Sequence, residues 1–242
     1  MKKLDKKLYI AAPFGNYLTH KNATSVIGTF TLNKRTGLLK QIVKTLRYSY
    51  KDKCWYNALG LRNPGIIDGI GKYKPDNILS IAAIDAGDWL ELEHLVPKDI
   101  KLELNISCPN IEHYNQYTNG IEKFVNRDPI IKLSPNMALK DIDRLYEQGF
   151  RKFHACNTFK TDKGGRSGKY LKVFTEKFIK HLKQTKKDIY CIAGGGIETM
   201  QDIREYHSIG ADAFSLGTVC FNPFKKNHIL NNYPIDSWRD YC

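Results

Sequence analysis

Eight short runs rich in aliphatic and β-branched residues punctuate this chain, with helix-like stretches between many of them. The runs are "LYIAAP" (8–13), "SVIGTF" (25–30), "ILSIAAI" (78–84), "KLELNIS" (101–107), "IIKLSP" (130–135), "KFHACN" (152–157), "IYCIAGG" (189–195) and "AFSLGT" (213–218). Several are continuously apolar, as expected of parallel strands buried on both faces. Between them, "MALKDIDRLYEQGF" sets Leu139, Ile142, Leu145 and Tyr146 on one helical face, and Gly149 ends it. "KVFTEKFIKHLKQ" and "TMQDIREYHSIG" repeat that design before the last two runs. Eight strands alternating with helices in 242 residues predict an α/β fold, a single (β/α)8 TIM barrel occupying 1–242 as one domain. Residues 31–77 break the rhythm and are expected to be loop-rich.

Composition removes several classes. At 42% hydrophobic and 26% charged residues, the chain has enough apolar surface to bury a core and is not of the disordered type. No apolar run approaches the ~18 residues of a membrane span. The opening "MKKLDKKLYI" reads as a polar lead-in to the first strand, without a signal peptide's apolar core. The six cysteines (54, 108, 156, 191, 220 and 242) form no CxxC pair, which argues against zinc or iron–sulfur ligation by this chain. A reducing cytoplasm is the expected setting. The formal charge of +13 favours an anionic ligand or partner. The lysines are scattered at helix-like spacings with few interleaved aromatics, so a solvated surface is expected rather than a nucleic-acid face.

In such barrels the chemistry sits at the C-terminal ends of the strands. Polar and glycine positions collect at those ends: Asn105, Ser107 and Cys108; Lys132 and Ser134; Asn157 and Thr158; Gly194, Gly195 and Gly196; Gly217 and Thr218. The last two loops, "AGGGIET" and "LGT", hold the positions where barrels frequently bind phosphate, and glycine lets backbone N–H groups approach an anion closely. Cys156 and Cys191 read as packed core thiols. Cys108 lies beyond a strand end among polar residues, where a thiol can be nucleophile, metal ligand or general base. Asn57, Asn105, Asn110 and Asn157 offer carboxamides, each a donor and an acceptor, matching a cyclic imide edge. Lys132 sits inside a strand, where an unpartnered charge is costly, so a ligand is expected beside it.

The motifs "NALGLRNPG" (57–65), "ELNISCPN" (103–110), "IKLSPN" (131–136), "NT" (157–158), "GGRSG" (164–168), "GGGIET" (194–199) and "LGT" (216–218) occur in one order along the chain. In that order they resemble the class 1 dihydroorotate dehydrogenases, FMN-dependent (β/α)8 oxidoreductases of pyrimidine synthesis. "NALGLRNPG" and "KLSPN" look closer to class 1B, whose catalytic subunit pairs with an iron–sulfur electron-transfer flavoprotein, than to the homodimeric class 1A. The resemblance implies that Cys108 is the base taking the C5 proton of dihydroorotate while the C6 hydride passes to FMN. It implies that Asn57, Asn105, Asn110, Asn157 and Thr158 hold the pyrimidine and its carboxylate. Lys132 would face the N1–C2=O edge of the flavin. Ser167, Gly168, Gly195, Gly196, Gly217 and Thr218 would hold the ribityl phosphate, and Ala12, Gly15 and Asn105 would also contact the cofactor.

The chain departs from the family pattern in three places. Gly28 stands where the family has a lysine at the end of strand two. The insert before "GGRSG" is cut to "FKTDK" (159–163), and the loop after Asn110 differs. Two alternatives follow: a flavin-binding homologue with reduced or lost turnover, and a tRNA dihydrouridine synthase-like FMN reductase, a family that carries an additional C-terminal helical domain. About twenty-four residues, Val219 to Cys242, follow the eighth strand, so that domain is not expected. The terminal electron acceptor and the assembly, homodimer or pairing with an electron-transfer subunit, stay open; no membrane association is expected.

Overall fold

A computed structural model of the chain describes residues 7–85, 87–106 and 120–234. The first half runs β1 (Leu8–Ile10), β2 (Thr24–Thr31), α1 (Leu38–Thr45), β3 (Arg47–Ser49), β4 (Cys54–Asn57), α2 (Ile66–Lys72), β5 (Ile78–Ala82), α3 (Asp88–Leu95) and β6 (Leu102–Asn105). The second runs β7 (Ile130–Lys132), α4 (Leu139–Glu147), β8 (Lys152–Ala155), β9 (Phe159–Thr161), β10 (Gly164–Arg166), α5 (Lys172–Thr185), β11 (Tyr190–Gly194), α6 (Met200–Ser208), β12 (Ala213–Leu216) and α7 (Pro223–Asn232).

Eight of these strands close into a barrel in the order β1-β12-β11-β8-β7-β6-β5-β2, every neighbour parallel. Each of the eight apolar runs supplies one stave. Side chains alternate across a strand, so every second residue points into the barrel. Tyr9, Val26, Ile78, Ile130, Ile192 and Ala213 form one apolar interior layer. Two residues further along the same strands stand Ala11, Gly28, Ser80, Lys132, Gly194 and Ser215. The barrel interior therefore changes from hydrocarbon to polar toward the C-terminal rim. The intervening residues face outward: Leu104, Ile131 and Phe153 pack under Ile142, Leu145, Phe178 and Leu182 of the helices. A fully buried side chain such as Phe153 stabilises by about 1.5–3 kcal/mol.

The three forecast helices are α4, α5 and α6, and Gly149 at φ 108° follows the first of them. Thr199 caps α6 in a capping box with Asp202, whose carboxylate also accepts from the Glu198 N–H at 2.9 Å. That cap anchors the "GGGIET" turn to a rigid helix end.

Residues 31–77 are more ordered than their pattern indicates, holding α1, β3, β4 and α2. β3 and β4 join the β9–β10 hairpin in a four-stranded antiparallel sheet, order β3-β4-β10-β9. Asn57 pairs with Gly165 and Tyr56 with Arg166, so β4 is completed by a segment far along the chain that local periodicity cannot reveal.

Candidate functional site

The polar layer opens into a cavity of about 950 Å3 at the C-terminal mouth of the barrel, at the upper end of the ~300–1,000 Å3 usual for ligand sites. Ala12 and Gly15 line it from the loop after β1, Asn57 from the end of β4, and Asn105 and Lys132 from β6 and β7. Asn157 and Thr158 follow β8, Ser167 and Gly168 follow β10, Gly195 and Gly196 follow β11, and Gly217 and Thr218 follow β12; all line the same space. Cys108 and Asn110, together with Ser107, lie outside the described residues.

The cavity floor is a connected polar network. Asn105 Nδ2 donates to Thr29 Oγ1 at 3.0 Å, and Thr29 and Ser80 hydroxyls lie 2.9 Å apart. Ser80 Oγ donates to Glu103 Oε1 at 2.8 Å. The other Glu103 oxygen lies 2.8 Å from His154 Nδ1, and Lys132 Nζ lies 3.7 Å from Oε1. Asn157 Nδ2 donates to Asn105 Oδ1 at 3.4 Å, while Asn157 Oδ1 accepts the Thr158 N–H at 2.8 Å. The two carboxamides thus hold one another's orientation, with hydrogen bonds reaching across β2, β5, β6 and β8.

Glu103, Lys132 and His154 are 1%, 5% and 3% exposed, so their charges depend on one another. Burial disfavours the Glu103 carboxylate, but the Lys132 ammonium and the His154 hydrogen bond outweigh it and hold its pKa at about 2. Burial pushes His154 below its usual range, against the pull of Glu103. Its neutral form is favoured, with Nδ1–H donating to Glu103. Among the described residues the partner of Lys132 is therefore Glu103, an acid outside the sequence-based expectations. The strand period could have found it, since Glu103 and Asn105 point the same way in "LELN", as do His154 and Cys156 in "KFHACN".

The other end of the cavity is built of backbone. Gly195 and Gly196 have φ of 87° and 80°, and a Cβ on Gly196 would stand 2.6 Å from Lys172 Cγ. Tyr206 Oη donates to the Gly195 carbonyl at 2.7 Å and pins the turn. A Cβ on Gly217 would meet nothing within 4 Å among the described residues. Ser167 is buried, and its hydroxyl donates to the Trp55 carbonyl at 3.1 Å, so its side chain ties β10 to β4. Gly15 packs so closely on β2 that a Cβ would lie 2.2 Å from the Val26 carbonyl oxygen. Phe14, Trp55 and Phe221 add an aromatic wall, with the Trp55 and Phe221 ring centroids 4.4 Å apart.

Two features suit a large ligand carrying both polar and aromatic parts. Ser215 Oγ is buried on the cavity wall with no hydrogen-bond partner among the described residues, a state that costs about 1–3 kcal/mol until something satisfies it. The open space over Gly217 leaves backbone accessible beside Thr218. The residues present thus fit a flavin-sized group with a phosphate at the glycine end. Burial drives the Cys156, Cys191 and Cys220 thiols up to about 12, so none of these three is a ready proton acceptor near neutrality.

Comparison with known proteins points one way. The dihydroorotate dehydrogenase family model matches residues 149–233. The chain is 27% identical to the catalytic subunit of dihydroorotate dehydrogenase B (NAD(+)) of Oceanobacillus iheyensis, across 91% of this chain and 85% of that one. It is 26% identical to the corresponding subunit of Malacoplasma penetrans, across 87% and 81%. Among solved structures, dihydroorotate dehydrogenase from Eimeria tenella in complex with ferulenol superposes with a TM-score of 0.74 at 18% identity, covering 93% of this chain and 79% of that one, a likeness of fold.

Proposed function

We propose that this chain, a homologue of the dihydroorotate dehydrogenases, oxidises dihydroorotate to orotate in pyrimidine synthesis, with FMN held in the cavity at the barrel mouth. One observation carries the reading: all of the candidate residues that are described line a single cavity, amides and a lysine on its floor and glycine turns at its other end. Bound FMN supplies the acceptor for the hydride that leaves C6.

The protein's own residues bind, orient and accept the proton. Ser167, Gly168, Gly195, Gly196, Gly217 and Thr218 would hold the phosphate end, chiefly through backbone, since the Ser167 hydroxyl is engaged with Trp55. Ala12, Gly15, Asn105 and Lys132 would hold the ring, with Lys132 adding positive charge beside it. Asn57, Asn105, Asn110 and Asn157, with Thr158, would read the pyrimidine and its carboxylate. Cys108 takes the C5 proton as its thiolate. The raised pKa values of Cys156, Cys191 and Cys220 support assigning the base to the cysteine after β6. A free thiol must stay reduced to act as base, which suits a cytoplasmic setting. Kinship with catalytic subunits of an NAD(+)-linked enzyme supports a separate electron-transfer subunit as partner. The same kinship favours this activity over dihydrouridine synthesis in tRNA.

Anaerobic mixing of the FMN-loaded protein with dihydroorotate tests the proposal: the flavin absorbance should bleach, and Cys108→Ser should slow the bleaching at least a hundredfold, within the ~10²–10⁴ of general base catalysis. Bound flavin that dihydroorotate leaves oxidised would sink it. A second reading, a flavin binder with diminished turnover, rests on Gly28; wild type and Cys108→Ser bleaching equally slowly would favour it.

A further inference from the structure

The floor of the cavity holds a charged cluster that binding alone does not require. The interior layer below it is hydrocarbon, Ile130 and Ile192 included, so this barrel can fill its centre without ions. A buried ion pair is seldom more stabilising than well-packed apolar residues of similar volume. Yet Ser80, Glu103, Lys132 and His154 occupy neighbouring staves with exposures of 0%, 1%, 5% and 3%. We infer that Glu103 and His154 are positioning residues for Lys132, and that the three set the charge the floor presents to a bound flavin and hence its reduction potential. The inference rests on the reading above that the cavity takes FMN.

The geometry assigns each member a part. Glu103 spends Oε2 on His154 Nδ1 at 2.8 Å and Oε1 on Ser80 Oγ at 2.8 Å. Both oxygens are thereby anchored before Lys132 is counted. Lys132 Nζ stands 3.7 Å from Oε1, close enough to be attracted and too far for a hydrogen bond, which leaves its N–H groups for the cavity. The His154 ring lies over Gly194, where a Cβ would come within 2.4 Å of Nε2; strand β11 makes room for the imidazole by having no side chain there. With neutral His154, the cluster sums to zero: one carboxylate, one ammonium. Lys132 alone would favour the reduced flavin, which carries more negative charge. Glu103, held at a fixed distance by His154 and Ser80, offsets part of that pull.

Spectroelectrochemical titration of the FMN-loaded protein tests this. Glu103→Gln, which keeps the shape and loses the charge, should raise the ratio of reduced to oxidised flavin at a given potential at least tenfold, about 30 mV for a two-electron couple. His154→Leu releases Oε2, lets the carboxylate turn wholly toward Lys132, and should lower that ratio at least threefold. The Glu103→Gln shift should shrink in a Lys132→Met background, because the carboxylate acts through the ammonium. Equal shifts in the two backgrounds, or ratios within twofold of wild type in both single variants, overturn the inference. If Glu103→Gln does not fold, the His154→Leu ratio decides on its own. Wild-type protein that takes up no FMN overturns the cavity reading and this inference with it; wild type that binds FMN, with variants of unaltered potential, overturns this inference alone.

Discussion

Placing at position 28 the lysine of the dihydroorotate dehydrogenase pattern should damage this protein. Gly28 has φ 107°, outside the territory of ordinary L residues, and a Cβ there would lie 2.5 Å from the Ser80 carbonyl oxygen and 3.0 Å from the Phe30 nitrogen. Both are backbone atoms, so no side-chain rotation relieves the overlap. The peptide is also held in place: Asn16 Oδ1 accepts the Gly28 N–H at 2.9 Å, and Asn16 Nδ2 donates to the Gly28 carbonyl at 3.1 Å. Strained φ costs about 1–3 kcal/mol, and forcing atoms into a packed site costs about 1–3 kcal/mol more. Gly28→Lys should therefore lose about 2–6 kcal/mol, a fall in Tm of about 5–20 °C for a chain of this size. Gly28→Ala should show most of the same loss, because the clash begins at Cβ. Thermal unfolding followed by circular dichroism, with flavin bleaching by dihydroorotate measured in parallel, is the assay. If Gly28→Lys unfolds at or above the wild-type Tm, the backbone is not committed to glycine and the reasoning fails.

Three further outcomes follow from the same structure. Gly217→Ala should fold with unchanged Tm, since its Cβ meets no described residue within 4 Å, yet bind FMN at least tenfold more weakly in a fluorescence titration because the methyl enters the cavity. Lys132→Ala leaves the Glu103 carboxylate buried without its cation and should cost about 3–5 kcal/mol in denaturant unfolding. Acid should destabilise the protein in two stages. His154 and Glu103 both have folded pKa values below their usual 6.5 and 4.5, so the stability each contributes is complete above those values and is lost as pH falls. Tm should thus begin to drop below about pH 6.5 and drop further from 4.5 toward 2, and His154→Leu should flatten the upper stage; a Tm constant from pH 7 to 4 contradicts this.

Much of the site was legible because parallel barrels bring all strand ends to one rim. Once the eight runs are recognised, Asn105, Lys132, Asn157, Gly195 and Gly217 must converge, however far apart they lie in the chain. Residues whose partners lie elsewhere in the fold escaped that logic. Ser167, taken as a phosphate residue, gives its hydroxyl to Trp55 on β4, and Gly15 is small because it abuts the backbone of Val26. The strand period shows that Glu103 points the same way as Asn105, but nothing local to it signals the lysine on the next strand.

The sequence alone determined the eight staves, the helices α4 to α6 and the rim on which chemistry would sit, since hydrophobic period and glycine punctuation act over spans of about ten residues. Tertiary structure decided the rest: β4 finding β10, Gly28 locked by Asn16, and Glu103 placed between Ser80, Lys132 and His154. Those pairings follow from barrel closure and strand register, which set residues dozens of positions apart within hydrogen-bond reach, a constraint that no local pattern contains.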